Sequence, residues 1–228
     1  LGEVAGLGRR LKVVVGSDVA KAITQSAPDV VALCTSSVLA KVVPQIEAIA
    51  RLKVPIVSTT EELAYPWWNQ RALSKKVDTA ARKARVAVVG TGVNPGFTMD
   101  ALPITLTGVC QDVTAITVNR IQDARSRRLP FQQKIGCGLT TTEFQARVDA
   151  GTVRHVGLTE SIAMIAGAMG WKLDKVTDEI TPVVSHDGIS SPLLTVAPGL
   201  VCGLIQDGVG YVGGKARIRL HMEAYLGA

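Results

Sequence analysis

Three short apolar runs, Val30–Cys34, Val54–Ser58 and Arg85–Val89, alternate with segments of helical length, and no other feature constrains the fold as much. The continuous β-branched run Val30–Cys34 reads as a strand buried on both faces. Val38–Leu52 carries Leu39, Val42, Val43, Ile46, Ile49 and Ala50 at helical spacing, and Asn69–Ala84 supplies a second helix. Parallel strands need such crossovers, and the crossovers are right-handed. The β-α-β-α-β order therefore predicts a parallel sheet covered by helices. Upstream, Lys12–Val15 reads as a short strand, and Ser17 or Asp18 can cap a helix through Ser26.

Beyond Phe97 the pattern changes. Thr98–Val109 reads as a mostly apolar helix bent at Pro103, and Val113–Ile121 alternates as a strand does. Thr141–Ala150 and Glu160–Trp171 read as helices, the second capped by Thr159. Val201–Asp207 and Lys215–Tyr225 form an antiparallel pair, with Arg217, Arg219 and His221 on a wet face and Ile218, Leu220 and Met222 on a packed one. Ser185–Gly199 is a loop rich in Ser, Pro and Gly. The fold class is α/β: a partial Rossmann-like parallel sheet over residues 1–97, then an α+β substrate-binding and dimerisation domain over residues 98–228.

Composition removes several function classes. A hydrophobic share of 47% is ample for a core, yet no apolar stretch, Ile162–Trp171 included, reaches the roughly 18 residues of a membrane span. The net charge of +6 raises the question of nucleic acid, but aromatics are only 4% and no basic–aromatic interleaving would stack bases. Cys34, Cys110, Cys137 and Cys202 make no Cys-x-x-Cys pair, which argues against a zinc knuckle and fits buried thiols in a reducing cytoplasm. His155, His186 and His221 are not spaced as ligands, so no metal is expected. A dinucleotide-binding sheet starts with a strand and Gly-x-Gly-x-x-Gly. Gly6-Leu7-Gly8 has neither the strand before it nor the helix-opening glycine after it. The chain thus reads as cut at its start, and its stop at Gly227-Ala228 reads as a second cut.

Ligands in open α/β sheets bind outside the carboxyl ends of the strands. Those ends are Thr35-Ser36-Ser37, the stretch Ser58-Thr59-Thr60-Glu61-Glu62-Leu63, and the turn Gly90-Thr91-Gly92-Val93-Asn94-Pro95-Gly96-Phe97. Each also has a structural reading. Ser36 or Ser37 suits an N-cap, Thr59 with Glu62 or Ser58 with Glu61 matches a capping box, and Asn94–Gly96 suits a plain turn. Arg120, Arg125, Arg127, Arg128 and Lys134 make the strongest basic patch. It suits a substrate carboxylate, a cofactor phosphate, or a solvated loop. Trp67 and Trp68 could roof a site or join the core.

Taken in order, Val30–Ser37, Ile56–Leu63 with Tyr65-Pro66, and Gly90–Phe97 with Met99-Asp100 resemble one group of enzymes. Arg120–Arg125, Leu129–Gly136 and Arg154–Ser161 extend the likeness across nearly the whole chain. The group is the 2,4-diaminopentanoate dehydrogenase and native amine dehydrogenase family, itself related to dihydrodipicolinate reductase. The likeness is specific in Thr-Thr-Glu-Glu-Leu, Val-Asn-Pro-Gly-Phe and His-Val-Gly-Leu. Dihydrodipicolinate reductase itself is a poorer match, because its His-His-x-x-x-Lys and Pro-Ser-Gly-Thr signatures are absent around Ala124–Thr142.

The resemblance implies reversible, NAD- or NADP-dependent oxidative deamination of a small amine or diamino acid to a ketone or aldehyde plus ammonia, in a homodimer. Hydride can leave the carbon only when its nitrogen is neutral, so a base must take a proton from the ammonium; the reverse direction needs an acid. The resemblance places that carboxylate at Glu61 or Glu62. Their place at the strand ends and in the turn points Thr35, Ser36, Ser37, Ser58, Thr59, Asn94, Pro95 and Gly96 to the cofactor and Phe97 to the substrate, the basic patch offers Arg120 to the substrate, and the resemblance adds His155.

Overall fold

The computed structural model describes residues 6–228 apart from positions 12 and 14. The strand expected over Lys12–Val15 lies partly outside the described residues; Val13 and Val15 are exposed and irregular. Helix α1 (Val19–Ser26) starts where the Asp18 carboxylate accepts the Lys21 N–H at 2.9 Å. Next come β1 (Val31–Leu33), α2 (Leu39–Arg51), β2 (Ile56–Ser58), α3 (Arg71–Ala84) and β3 (Val88–Gly90). The strands form a parallel sheet in the order β1-β2-β3. Its register places Leu33, Ser58 and Gly90 side by side, so all three carboxyl ends finish level.

One face of this sheet is packed. Helix α2 lays Leu39, Val42, Val43, Ile46 and Ile49 against Leu33 and Ile56, which realises the helical spacing read from the sequence. Among the described residues nothing covers the other face, contrary to the expectation of a strand buried on both sides. Ala32, Val57 and Val89 form one in-register row on it, with Val57 38% and Val89 48% exposed. Both crossover helices lie on the same side, as right-handed connections in one direction require.

The second part is built on a four-stranded sheet. After α4 (Ala101–Thr107) come β4 (Ile116–Asp123), a 3₁₀ turn over Ala124–Ser126, α5 (Leu129–Lys134), α6 (Thr141–Asp149) and α7 (Leu158–Ala168). They are followed by β5 (Lys175–Val184), the short pair β6 (Ile189–Ser190) and β7 (Thr195–Val196), and the hairpin of β8 (Val201–Val212) and β9 (Lys215–Tyr225). The order is β4-β9-β8-β5, with β4 parallel to β9 and the other pairs antiparallel. Ile218, Leu220 and Met222 point inward as expected, onto a core with Phe144, Leu158, Ile162, Ile165 and Leu204. Strand β5 was not legible because charges and Pro182 interrupt its alternation.

Two helix starts differ from expectation. Helix α4 begins only at Ala101, because the buried Asp100 carboxylate caps it at the Ala101 N–H. Pro103 then falls in the first turn, where a helix needs no N–H, so it has no kink to make. Helix α7 is preceded by Gly157 at φ +102°, not by Thr159. Thr159 sits inside the first turn and donates its hydroxyl to Glu160 Oε2. Among the described residues no helix is long and apolar enough to cross a membrane.

Candidate active site

The level strand ends open into a cleft of about 700 Å³. One wall is Cys34–Ser37, Thr59, Glu61 and Gly92–Pro95; the other is Arg120 from β4, Arg127, Arg128, Phe131 and Lys134 around α5, and His155. A groove of about 580 Å³ between α2 and α3 lies away from the strand ends and is lined by Arg51, Lys53, Lys75, Lys76 and Lys83. Unlike this groove, the cleft brings acid, base, amide and cationic groups together.

The two glutamates part company. Residues 61–63 form a 3₁₀ turn, in which consecutive side chains point about 120° apart. Glu61 faces the cleft, and its carboxylate takes no hydrogen bond from any described residue. Glu62 turns the other way and accepts the N–H of Leu39 at 2.7 Å. Helix α2 has no side-chain cap of its own at Val38, so Glu62 caps it from another segment. Neither expected capping box forms. Ser58 is fully buried and donates to Leu33 O at 2.8 Å, tying β2 to β1, which keeps it from reaching a cofactor. Thr59 stays in the cleft lining.

The hydroxyls after β1 are partly engaged. Thr35 donates to Gln45 Oε1 at 2.8 Å, and Ser36 Oγ accepts the Val38 N–H at 3.2 Å, a turn-type bond just before α2. Both still line the cleft with Ser37.

The Asn94–Phe97 turn meets the His155–Leu158 segment, and two positions that reject a side chain explain how. A Cβ on Gly157 would lie 2.6 Å from Pro95 Cδ, so the ring of Pro95 occupies that space. Gly96, at φ +119°, would place a Cβ 2.5 Å from Gly92 N. Gly96 therefore shapes the turn from behind, its N–H held by Asp100 Oδ2 at 2.8 Å, and does not line the cleft. Asp100 also accepts the Ser161 hydroxyl at 2.7 Å, which fastens the turn to α7. Phe97 is 51% exposed and does not line the cleft; its carbonyl accepts the Leu102 N–H at the start of α4.

The Asn94 amide nitrogen lies 3.2 Å from Met99 Sδ and 2.9 Å from His155 Nε2. With Nδ2 donating, His155 Nε2 is the acceptor and the ring proton sits on Nδ1. Burial first, then the charges of Arg120, Lys134 and Arg154, push the His155 pKa down to about 3, so the imidazole is neutral at physiological pH. Asn94 Oδ1 is buried without a partner. Such an acceptor is costly unless something donates to it.

Arg120 lies in the middle of β4, not at its end. Its guanidinium touches Met222 Sδ at 3.5 Å and Gln122 Oε1 at 2.8 Å. Burial, and then the like charge of Arg127, lower its pKa. Among the described residues no carboxylate pairs with Arg120, Arg127, Arg128 or Lys134, so four unpaired cations share the cleft lining with the unpaired Glu61 carboxylate. Arg125 leaves the group by pairing with Asp123 at 2.6 Å. Trp67 and Trp68 line a separate groove with Trp171, away from the cleft.

Sequence reasoning missed the supports. Gln206, fully buried, accepts the His155 N–H at 2.8 Å and donates to His155 O and to Asp178 Oδ1. Gln132, also fully buried, holds the arginine turn. A buried glutamine on a strand or helix carries no local pattern that would announce it.

Residues 97–224 match the 2,4-diaminopentanoate dehydrogenase C-terminal domain. The chain belongs to this family. Over 215 residues it is 39% identical to the 2,4-diaminopentanoate dehydrogenase of Acetoanaerobium sticklandii, which covers 93% of this chain but 61% of that protein. The chain thus spans about three-fifths of the length of this relative. Its fold is that of an amine dehydrogenase from Mycobacterium smegmatis, at TM-score 0.85 and 21% identity over 100% of this chain and 68% of the other. An oxidoreductase from Bacillus cereus is more distant, at TM-score 0.51 and 12% identity over 100% of this chain and 55% of that one.

Proposed function

We propose that the protein is an NAD- or NADP-dependent oxidoreductase that interconverts a small amine or diamino acid with the matching ketone or aldehyde and ammonia. The observation that carries this is Glu61: an unpaired carboxylate at the carboxyl edge of a parallel sheet, opposite a neutral histidine and a set of unpaired cations. The family membership and the 39% identical dehydrogenase support it. Residues 1–97 hold part of the nucleotide-binding unit and residues 98–228 the substrate unit of a cytoplasmic homodimer.

A nicotinamide nucleotide, when bound, accepts or supplies the hydride. The residues present fit it. Thr35, Ser36, Ser37 and Thr59 are small hydroxyls at the strand ends where a ribose can approach. Asn94 Oδ1 is an orphaned acceptor suited to a carboxamide N–H, with Pro95 beside it. Glu61 binds the substrate ammonium and takes its proton, leaving the neutral amine from which hydride can depart; in reverse it returns a proton as water leaves. His155, uncharged, presents a lining that does not repel the ammonium. Arg120 holds a substrate carboxylate if the substrate has one.

The test is turnover of amines and 2,4-diamino acids with each cofactor, read as reduced cofactor and released ammonia, and of the matching ketones with ammonia. The expected result is activity in both directions. Cofactor binding without turnover of any amine or ketone in the panel would sink the reading.

A further inference from the structure

The cationic wall needs something to hold it together. Arg127 lowers the pKa of Arg120, so the two like charges feel each other, and among the described residues no carboxylate pairs with either. The segment carrying Arg127 and Arg128 is a single 3₁₀ turn followed by an extended residue, with little regular structure to resist that repulsion. Asp123 accepts the Arg125 N–H at 2.9 Å and the Arg127 guanidinium lies over the Phe131 ring, but the carbonyls of the turn are gripped by one buried side chain. Gln132 Nε2 lies 3.1 Å from Ala124 O, 3.3 Å from Arg125 O and 2.8 Å from Arg127 O. An amide has two N–H groups, so three carbonyls share two protons and all converge on one nitrogen.

The orientation of that amide is fixed in turn. Ser191 Oγ accepts the N–H groups of Leu193 and Leu194, both at 3.1 Å, which fills its lone pairs. Its own proton goes to the nearest acceptor, Gln132 Oε1 at 2.8 Å. With the oxygen committed to Ser191, the nitrogen must face the turn. The chain of bonds runs from the Ser191–Leu194 backbone through Ser191 and Gln132 to the arginine turn.

We infer that Gln132 is the positioning residue of the cationic wall. It pins the Ala124–Arg127 carbonyls so that Arg127 and Arg128 stand preformed beside Arg120 as a receptor for a substrate carboxylate, and Ser191 sets its orientation. The inference rests on the proposed reading of the cleft as the substrate site. Gln132 touches no substrate; it acts through the two arginines.

Its test needs no turnover. In the chain, the binding of 4-oxopentanoate and of 2-pentanone, alike in ketone and size class but differing in the carboxylate, is measured by calorimetry. Amide hydrogen exchange over residues 124–128 is followed in parallel. Gln132→Met and the milder Ser191→Ala should both speed exchange in that segment. Both should weaken 4-oxopentanoate about tenfold, ~1.4 kcal/mol, and leave 2-pentanone unchanged. Unchanged exchange, equal weakening of both ketones, or no preference for the carboxylate in the unsubstituted chain would each overturn the assignment. If the response appears but no amine is turned over with either cofactor, the catalytic reading fails and the positioning role stands.

Discussion

Glu61 and Glu62 are neighbours in sequence with opposite duties, and substitution should separate them. Glu62→Ala removes the acceptor 2.7 Å from the Leu39 N–H at the start of α2, a helix with no side-chain cap of its own. Loss of a side-chain cap costs about 1 kcal/mol. Loss of the negative charge at the helix N-terminus adds about 0.5 kcal/mol. The expected fall is therefore ~1.5 kcal/mol for Glu62→Ala, against about 0.5 kcal/mol for Glu62→Gln, which keeps an oxygen facing Leu39. Glu61 takes no hydrogen bond from the described residues, so Glu61→Gln should shift stability by less than about 0.5 kcal/mol. Activity should order the other way: Glu61→Gln lowers kcat by about 10²- to 10⁴-fold, the range of general acid–base catalysis, and Glu62→Gln changes it little. Urea unfolding and the rate of cofactor reduction on the same preparations give both numbers. An unmoved unfolding midpoint for Glu62→Ala would refute the capping argument. Full turnover in Glu61→Gln would refute the proton-transfer role, and full turnover in the double substitution would remove the pair from the chemistry altogether.

Other outcomes follow from single contacts. Gly157→Ala forces a side chain into a left-handed conformation and within 2.6 Å of Pro95 Cδ; together these should cost about 3 kcal/mol in a urea melt, and a loss below about 1 kcal/mol would count against the contact. NMR titration should split the histidines. The folded pKa of His155 is depressed to about 3, below the unfolded value of 6.5, so its contribution to stability is present above pH 6.5 and is lost as pH falls toward 3. His221, held by Asp207 at 2.7 Å and Glu223 at 3.0 Å, has its pKa raised, chiefly by those hydrogen bonds. Its contribution is present below pH 6.5 and is lost as pH rises through the folded pKa. At pH 5 the His155 ring should be neutral and that of His221 charged; the reverse order would overturn both descriptions.

The parallel sheet was legible because Val30–Cys34, Val54–Ser58 and Arg85–Val89 are long enough for strands and too short for helices, and helical spacing fills the gaps. The place of the cleft followed from the same pattern, since the strand ends are fixed once the strands are. Individual side chains were less legible. Thr-Thr-Glu-Glu fits a capping box on paper, but the segment folds as one 3₁₀ turn, and a direction set by 3.0 residues per turn sends Glu62 to α2 and Glu61 to the cleft. Ser58 looked available at a strand end, yet its hydroxyl is spent on Leu33 O. Phe97 follows Gly96, where the chain turns at positive φ, and stands outside the cleft lining. The basic run 120–134 could be read as solvent-facing or site-facing. Arg125 turns to Asp123, while the turn that carries Arg127 is held by Gln132, whose bond to Ser191 spans 59 residues and leaves no trace in local sequence.

The open row of Ala32, Val57 and Val89 offers copies of this chain an apolar surface to meet on. At low ionic strength the +6 net charge keeps them apart. Raising salt to about 0.1 M shortens the reach of that repulsion to about 10 Å, while attraction between apolar rows is not screened. Solubility of the chain should therefore fall as salt is added, and the crowding should begin at the uncovered side of the first sheet.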